Sequence, residues 1–332
     1  MNTRWPLYLL ALSALLLGSC RSLEKKAVRS VADMLSSPSG AGAFTSDDDP
    51  QLIADSLPLA LKIFEILLET DPDNHNLAAA TGRNFVMYSG AFVHMPADML
   101  DDELWREADE ARKRAKNLYR RGRDYLLRAL NGRHEDFLAL LENRSYDEAM
   151  SLLDEGDAED AYWAGLAWLG MASTDPFDME LAAELDKAAL LLYRSMELDD
   201  TISGTHDVMI QLQLTLPSSI LVNMRDRSPG TAEFMDRYYA AAGVGDEPGK
   251  RALYHYYRAL ALSEGADPSP HITMATAVSV KQQDAAGFRD YLDEALSIDP
   301  RDHPDSQLLI IVYQEKARWL LDHIEDYFLE GF

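Results

Sequence analysis

Apolar residues recur at helical spacing along most of the chain. Leu57, Ala60, Leu61, Phe64, Leu67 and Leu68 form one stripe, with Lys62, Glu65 and Glu69 off it. Similar stripes run through Leu185, Ala188, Ala189, Leu192 and Met196, and through Phe288, Leu292, Ala295 and Leu296. A period near 3.6 residues gathers such positions on one face, which must pack against a neighbour. No stretch alternates apolar and polar residues with the β-branched enrichment of a sheet. The pattern predicts an all-α fold. Its punctuation agrees: Thr45-Ser46-Asp47-Asp48-Asp49-Pro50 reads as a helix start, and Asp71-Pro72-Asp73-Asn74 as a stop. Asp47, Asp48 and Asp49 lack the ligand spacing of a calcium loop, so capping is the better use of them.

The helices also resemble one another. Ala60, Phe64 and Leu67 precede Asp71-Pro72; Ala188, Leu192 and Ser195 precede Asp199-Asp200. Ala252, Tyr256 and Ala259 precede Ser263-Glu264-Gly265; Phe288, Leu292 and Ala295 precede Asp299-Pro300. This is the layout of the second helix of a tetratricopeptide repeat, where small residues admit a partner helix and a large one fills the gap. The intervals are irregular: 188 to 252 is 64 residues and 252 to 288 is 36, against ~34 for a regular repeat. The expected architecture is a degenerate tetratricopeptide-like solenoid of helical hairpins.

The N-terminus is of another kind. Arg4 precedes an apolar run over 7–17, and Leu17-Gly18-Ser19-Cys20 follows. A short apolar run ending in small residues reads as a signal peptide, and the run falls short of the ~20 residues that a membrane span needs. Cleavage would leave Cys20, the only cysteine in the chain, at the new N-terminus, where its thiol can take a lipid. With one cysteine no intrachain disulfide forms, although an exported chain could carry one. The expected organisation is a lipoprotein signal peptide at 1–19, a lipidated Cys20 and flexible tether at 20–49, and an all-helical domain at 50–332. Ser36-Ser37-Pro38-Ser39-Gly40-Ala41-Gly42 is flexible by composition, and 28–35 could form a helical turn or two.

Composition narrows the function. Without residues 1–19 the chain carries 30 basic against 56 acidic residues. Such a surface neutralises no phosphates, which argues against nucleic acid, and it does not adhere to anionic lipid. The basic stretch 112–128 stands out, and Glu107 and Glu110 are its expected helical partners. The histidines show no metal-ligand spacing, and there is no phosphate-cradling glycine loop or nucleophile elbow. No enzyme, metal or cofactor is expected beyond the covalent lipid, expected as palmitate, on Cys20.

Several stretches together resemble one family, the T component of tripartite ATP-independent periplasmic (TRAP) transporters. They are Phe44-Thr45-Ser46-Asp47-Asp48-Asp49-Pro50 with Ala54 to Lys62; Ala80-Thr81-Gly82 with Phe85-Val86-Met87-Tyr88 and Ala91-Phe92-Val93; and Ala115-Lys116-Asn117-Leu118-Tyr119-Arg120-Arg121-Gly122 continuing to Leu130. Tyr162-Trp163-Ala164 with Trp168, Gly204-Thr205-His206 and Ala317-Arg318-Trp319-Leu320-Leu321 also fit. The segment 220–250 is longer than the short turn usual at that point. The resemblance implies a periplasmic lipoprotein, a homotrimer, a hydrophobic cavity in each protomer for a small apolar ligand, and docking of the transporter's periplasmic substrate-binding subunit.

Residues for such a cavity are Phe85, Tyr88 and Phe92 on one helix and Tyr162, Trp163 and Trp168 on another, beside Ala161, Ala164, Gly165 and Ala167. Bulky residues among small ones can wall a cavity or pack a tight helix pair, and the residues alone leave both open. His206 could meet a ligand's polar end or be a satisfied core histidine. Tyr254, His255, Tyr256 and Tyr257 read as a helix interface. The alternative to a ligand carrier is an envelope scaffold that binds protein or peptide partners in a groove. The anchor is directly testable: Cys20→Ala is expected to abolish incorporation of labelled palmitate and to release the chain from membranes. Label retained by that variant would sink the assignment.

Overall fold

The computed structural model describes residue 30 and residues 38–329. The expected signal peptide at 1–19 and Cys20 lie outside them. Among the described residues there is no strand, and no helix is long and apolar enough to cross a membrane.

Helix α1 (Pro38–Thr45) falls inside the stretch expected as a flexible tether. Phe44 supplies the reason: it packs on the main apolar core, and α1 contacts the chain's last long helix. The folded part therefore includes residues well before 50. Helix α2 (Pro50–Thr70) starts where the sequence implies, with the Asp49 carboxylate accepting the Leu52 N–H at 3.0 Å and Pro50 in the first turn. Ile53, Leu57, Leu61, Phe64 and Leu68 are its buried stripe. Asn74 caps α3 (His75–Ser89) in the same way, through the Leu77 N–H.

Helix α3 packs on α4 (Trp105–Arg133), and the approach is close because glycines face each other. A Cβ built on Gly82 would lie 2.6 Å from Leu126 Cγ, and one on Gly122 would lie 2.7 Å from Val86 Cγ2. After α5 (Phe137–Glu142) and α6 (Tyr146–Leu152), α7 (Ala158–Thr174) packs on both α4 and α8 (Leu185–Leu198). Helix α9 (Ser203–Thr215) packs on α12 (Pro248–Leu262). Between them in sequence, the long segment 220–250 is largely helical: α10 (Ser218–Arg227) and α11 (Pro229–Ala241) lie on α8 and bury Met224, Phe234, Met235 and Tyr239.

Helix α13 (Ser269–Met274) touches α9, α12, α14 (Ala285–Ser297) and α15 (Gln307–Asp322). Helix α15 then returns to contact α1 and α2. Its Leu308 and Val312 share one buried cluster with Ile53, Leu57 and Leu61, so the C-terminal helix closes against the N-terminal ones. The residues of the repeat pattern are buried in α8, α12 and α14. That is compatible with tetratricopeptide-like hairpins.

The basic face of α4 does not use Glu107 and Glu110. Arg112 pairs with Asp98 at 2.8 Å, Arg114 donates to the Tyr88 hydroxyl at 3.1 Å, and Arg121 pairs with Glu65. Lys116 bridges Asp175 and Asp178, 2.7 Å from each. These side chains reach neighbouring helices instead; Lys116, 14% exposed, is the most sheltered of them, where a charge pair is stronger than on an open face. The Lys116 bridge also fixes the turn that holds Phe177 outward, 90% exposed. The expected outcome of Gly122→Ala is a net loss of about 1–3 kcal/mol in chemical unfolding, despite alanine's better helix propensity. Unchanged or increased stability would contradict the close-approach account.

Candidate functional site

Two buried polar clusters lie along the fold, and they differ in kind. The first is closed on itself. His206 on α9 and His255 on α12 approach through their Nδ1 atoms at 2.9 Å, so one ring nitrogen carries the proton and the other accepts it. His255 Nε2 contacts the Tyr239 hydroxyl at 2.8 Å, and Gln213 donates to that hydroxyl and to Tyr193. His206 Nε2 lies 3.2 Å from Asp200. Burial alone would raise the Asp200 carboxyl, but hydrogen bonds from His206, Tyr238 and Arg258 hold it at about 2. Burial, then the neighbouring His206, push His255 well below the usual histidine range, so it stays neutral. Every principal group here has a partner. His206 thus belongs to a satisfied core network.

The second cluster is not closed. Tyr162 on α7, Asp207 on α9, and Tyr313 and Lys316 on α15 are surrounded by protein on all sides, yet each keeps part of its surface uncovered. Side chains in that position face an enclosed or re-entrant space. Gly204 makes room for one of them: a Cβ there would lie 2.6 Å from the Tyr162 hydroxyl. Asp267, in the turn before α13, accepts from Ser269 N–H at 2.9 Å and from Ser269 Oγ at 2.7 Å.

These groups feel one another. Burial, and then the neighbouring Asp267, push the Asp207 carboxyl up to about 7, partly offset by the Thr273 and Ser269 hydroxyls and by Lys316. Asp207 Oδ1 is buried without a hydrogen-bond partner. Burial lowers the Lys316 ammonium against the pull of Asp98 and Asp207. Burial raises Tyr313 well above the usual phenol, with Asp207, Asp267, Tyr162 and Tyr119 adding to it. Burial also lowers His94, which sits 3.4 Å from the Tyr119 hydroxyl and near Asp98. The set runs from exposed Asp98 inward to Asp207 and Asp267, and its members lie far apart in the sequence, from His94 to Lys316.

Of the residues expected to line a cavity, the structure brings only Tyr162 into this set. Trp163 lies beside it, ring centroids 5.2 Å apart and tilted by 62°, half-buried. Phe85 is packed between Tyr125 and the Arg121 guanidinium. Tyr88 is buried under Arg114, with half-buried Phe92 at 6.1 Å. Trp168 is 3% exposed, donates to Glu184 and lies under Arg123. Asp207, Asp267, Tyr313 and Lys316 escaped the sequence reading. The signal for two of them is present: Asp207 interrupts a run of buried residues from Thr205 to Ile210, and Lys316 falls between buried Gln314 and Ala317.

Two shallower sites lie outside this set. One of about 430 Å³ is lined by Glu110, Lys113, Arg114, Asn117, Leu118 and Arg121 of α4. The other, about 390 Å³, is lined by charged groups including Arg83, Arg133 and Asp160. The first lies open to solvent and the second is walled mainly by polar groups, so neither has the enclosed, partly apolar form of a small-molecule site. His134, Asp154 and Asp157 could hold a metal by spacing alone. Asp157 already accepts from Arg133, the Asp154 N–H and His134, which marks a structural cap.

Fold and site together define an all-helical protein whose last long helix returns to the first ones and whose interior is polar and tyrosine-bearing. The chain belongs to the TRAP transporter T-component family, whose model matches residues 46–220 and 228–328. It is also similar to an uncharacterized protein of Treponema pallidum (strain Nichols), 31% identical over 294 residues, which covers 86% of this chain and 83% of that protein.

Asp207 gives this site a pH signature. Its folded carboxyl titrates near 7, above the ordinary range, so folding takes up a proton between about pH 4 and 7. Stability from the protonated form is present below that window and is lost as pH rises through it. Asp207→Asn, which stays neutral, is expected to melt several degrees above the wild type at pH 8 and to show little advantage at pH 4. Equal melting at both values would remove Asp207 from the buried site described.

Proposed function

We propose that this chain is a lipid-anchored periplasmic protein that holds a small ligand of partly apolar character inside each protomer and docks the substrate-binding subunit of a TRAP transporter. Family membership supports a place in TRAP transport. The observation that carries the ligand is the second cluster, where Tyr162, Tyr313, Asp207 and Lys316 are wrapped by protein but not fully covered. A filled core would cover them and pair Asp207 Oδ1. A peptide scaffold would instead present its binding groups on an open concave face.

The trimeric assembly finds support on α2. Leu52, Leu59, Ile63 and Ile66 lie exposed on its outer side. An apolar helix face of this length suits a second copy of the chain. Sedimentation of the chain with the TRAP substrate-binding subunit tests docking and assembly together. The expected result is a complex whose mass fits three copies of this chain. Absence of any complex at ~10 μM, where a specific interface would be populated, would count decisively against docking.

A further inference from the structure

The interior has one acceptor atom that nothing in the chain satisfies. Asp207 and Asp267 come from different elements, α9 and the turn before α13, and lie close enough to repel each other. Asp207 Oδ1 is buried and unpartnered. Asp267 receives the local N–H and Oγ of Ser269. Lys316 influences Asp207 from a distance, and its ammonium forms no ion pair with either carboxyl among the described residues. A buried carboxyl in this condition is costly, and native structures keep such groups where an outside molecule completes them.

The chemistry of the missing molecule follows from what surrounds the pair. An anion would meet Asp207, Asp267 and, further out, Asp98, against Lys316 alone on the other side. A hard metal ion wants six or more oxygen ligands, and two carboxylates with a hydroxyl already committed to Asp267 fall short of that. A primary ammonium brings three donors on one small cation. It would take Oδ1 of Asp207 and a carboxyl oxygen of Asp267, and the Tyr162 and Tyr313 rings nearby suit both a cation and an attached hydrocarbon. The chain's net charge of −25 favours the approach of cations over anions.

We propose that Asp207 and Asp267, in the space bounded by α7, α9, α13 and α15, bind the protonated amine of a small organic cation whose apolar body lies against Tyr162 and Tyr313. This rests on the reading that the interior holds a ligand, and it names the class of that ligand.

Calorimetric titration of the full chain with hexylamine, hexanol and hexanoate tests it. Hexylamine binds and hexanoate does not. Asp207→Asn and Asp267→Asn each weaken hexylamine at least about tenfold, a loss on the scale of one charged hydrogen bond, and leave hexanol unchanged. In the wild type, hexylamine binds about tenfold more weakly at pH 6 than at pH 8, because Asp207 becomes protonated across that interval. The other groups facing it do not reverse this sign. Tyr162 and Tyr313 stay neutral, and any proton gained by Lys316 also repels the ligand. The wild-type pH profile decides the matter if either variant fails to fold by circular dichroism. Hexanoate binding as tightly as hexylamine, or hexylamine affinity indifferent to pH and to Asp207→Asn, would overturn the amine site. Binding of hexanol alone would overturn it while leaving the ligand-holding reading intact; binding of none of the three would overturn both.

Discussion

The return of α15 onto α1 and α2 is the contact on which the rest of this molecule depends. Helical hairpins stacked in sequence form an open solenoid, with each unit touching its neighbours. Here Leu308 and Val312 join the cluster of Ile53, Leu57 and Leu61, more than two hundred residues away in the chain. The hydrophobic term acts without regard to sequence distance, and it converts an open curve into a closed one. Helix α15, held also by α13 and α14, brings Tyr313 and Lys316 towards Asp207 and Asp267. The interior draws its chemistry from α7, α9, the turn before α13 and α15, elements that no local motif connects.

The two polar clusters show how the same residue types serve opposite ends. His206, His255, Asp200 and their tyrosines are satisfied, neutral or paired, and they fix how α9 meets α12. A fully connected buried network specifies one packing. Asp207 sits one residue from His206 on the same helix, yet its Oδ1 is buried without a hydrogen-bond partner. The first cluster holds α9 rigid, and that rigidity keeps the second in place despite its electrostatic strain. Strain retained where it destabilises the fold is the usual mark of a site shaped for something other than stability.

Much of the fold was legible in the sequence. The stripe of α2, the Asp49-Pro50 start and the buried small and large residues of α8, α12 and α14 all follow from helical periodicity and capping. The segment 220–250 was not legible as helices, because proline, glycine and charge punctuate it while its anchors, Met224, Phe234 and Tyr239, are few. Helix α1 was hidden by a composition rich in glycine and serine, although Phe44 packs on the main core. The site was harder. Aromatic clusters drew attention to Phe85, Tyr88 and Trp168, but arginines from α4 cover all three. What marks the interior instead is a lone acid on an apolar helix and a lone lysine on another. Their significance depends on closure, and periodicity carries no information about which distant helices meet.

One small feature of α4 has a wider reach. Lys116 ties Asp175 and Asp178 together, and between those two acids the chain holds Phe177 almost wholly in solvent. A free loop carrying an aromatic tip loses conformational entropy whenever that tip is gripped. Here the clamp has already removed that freedom. A surface that meets Phe177 finds its backbone already held, so less chain entropy is lost in the contact.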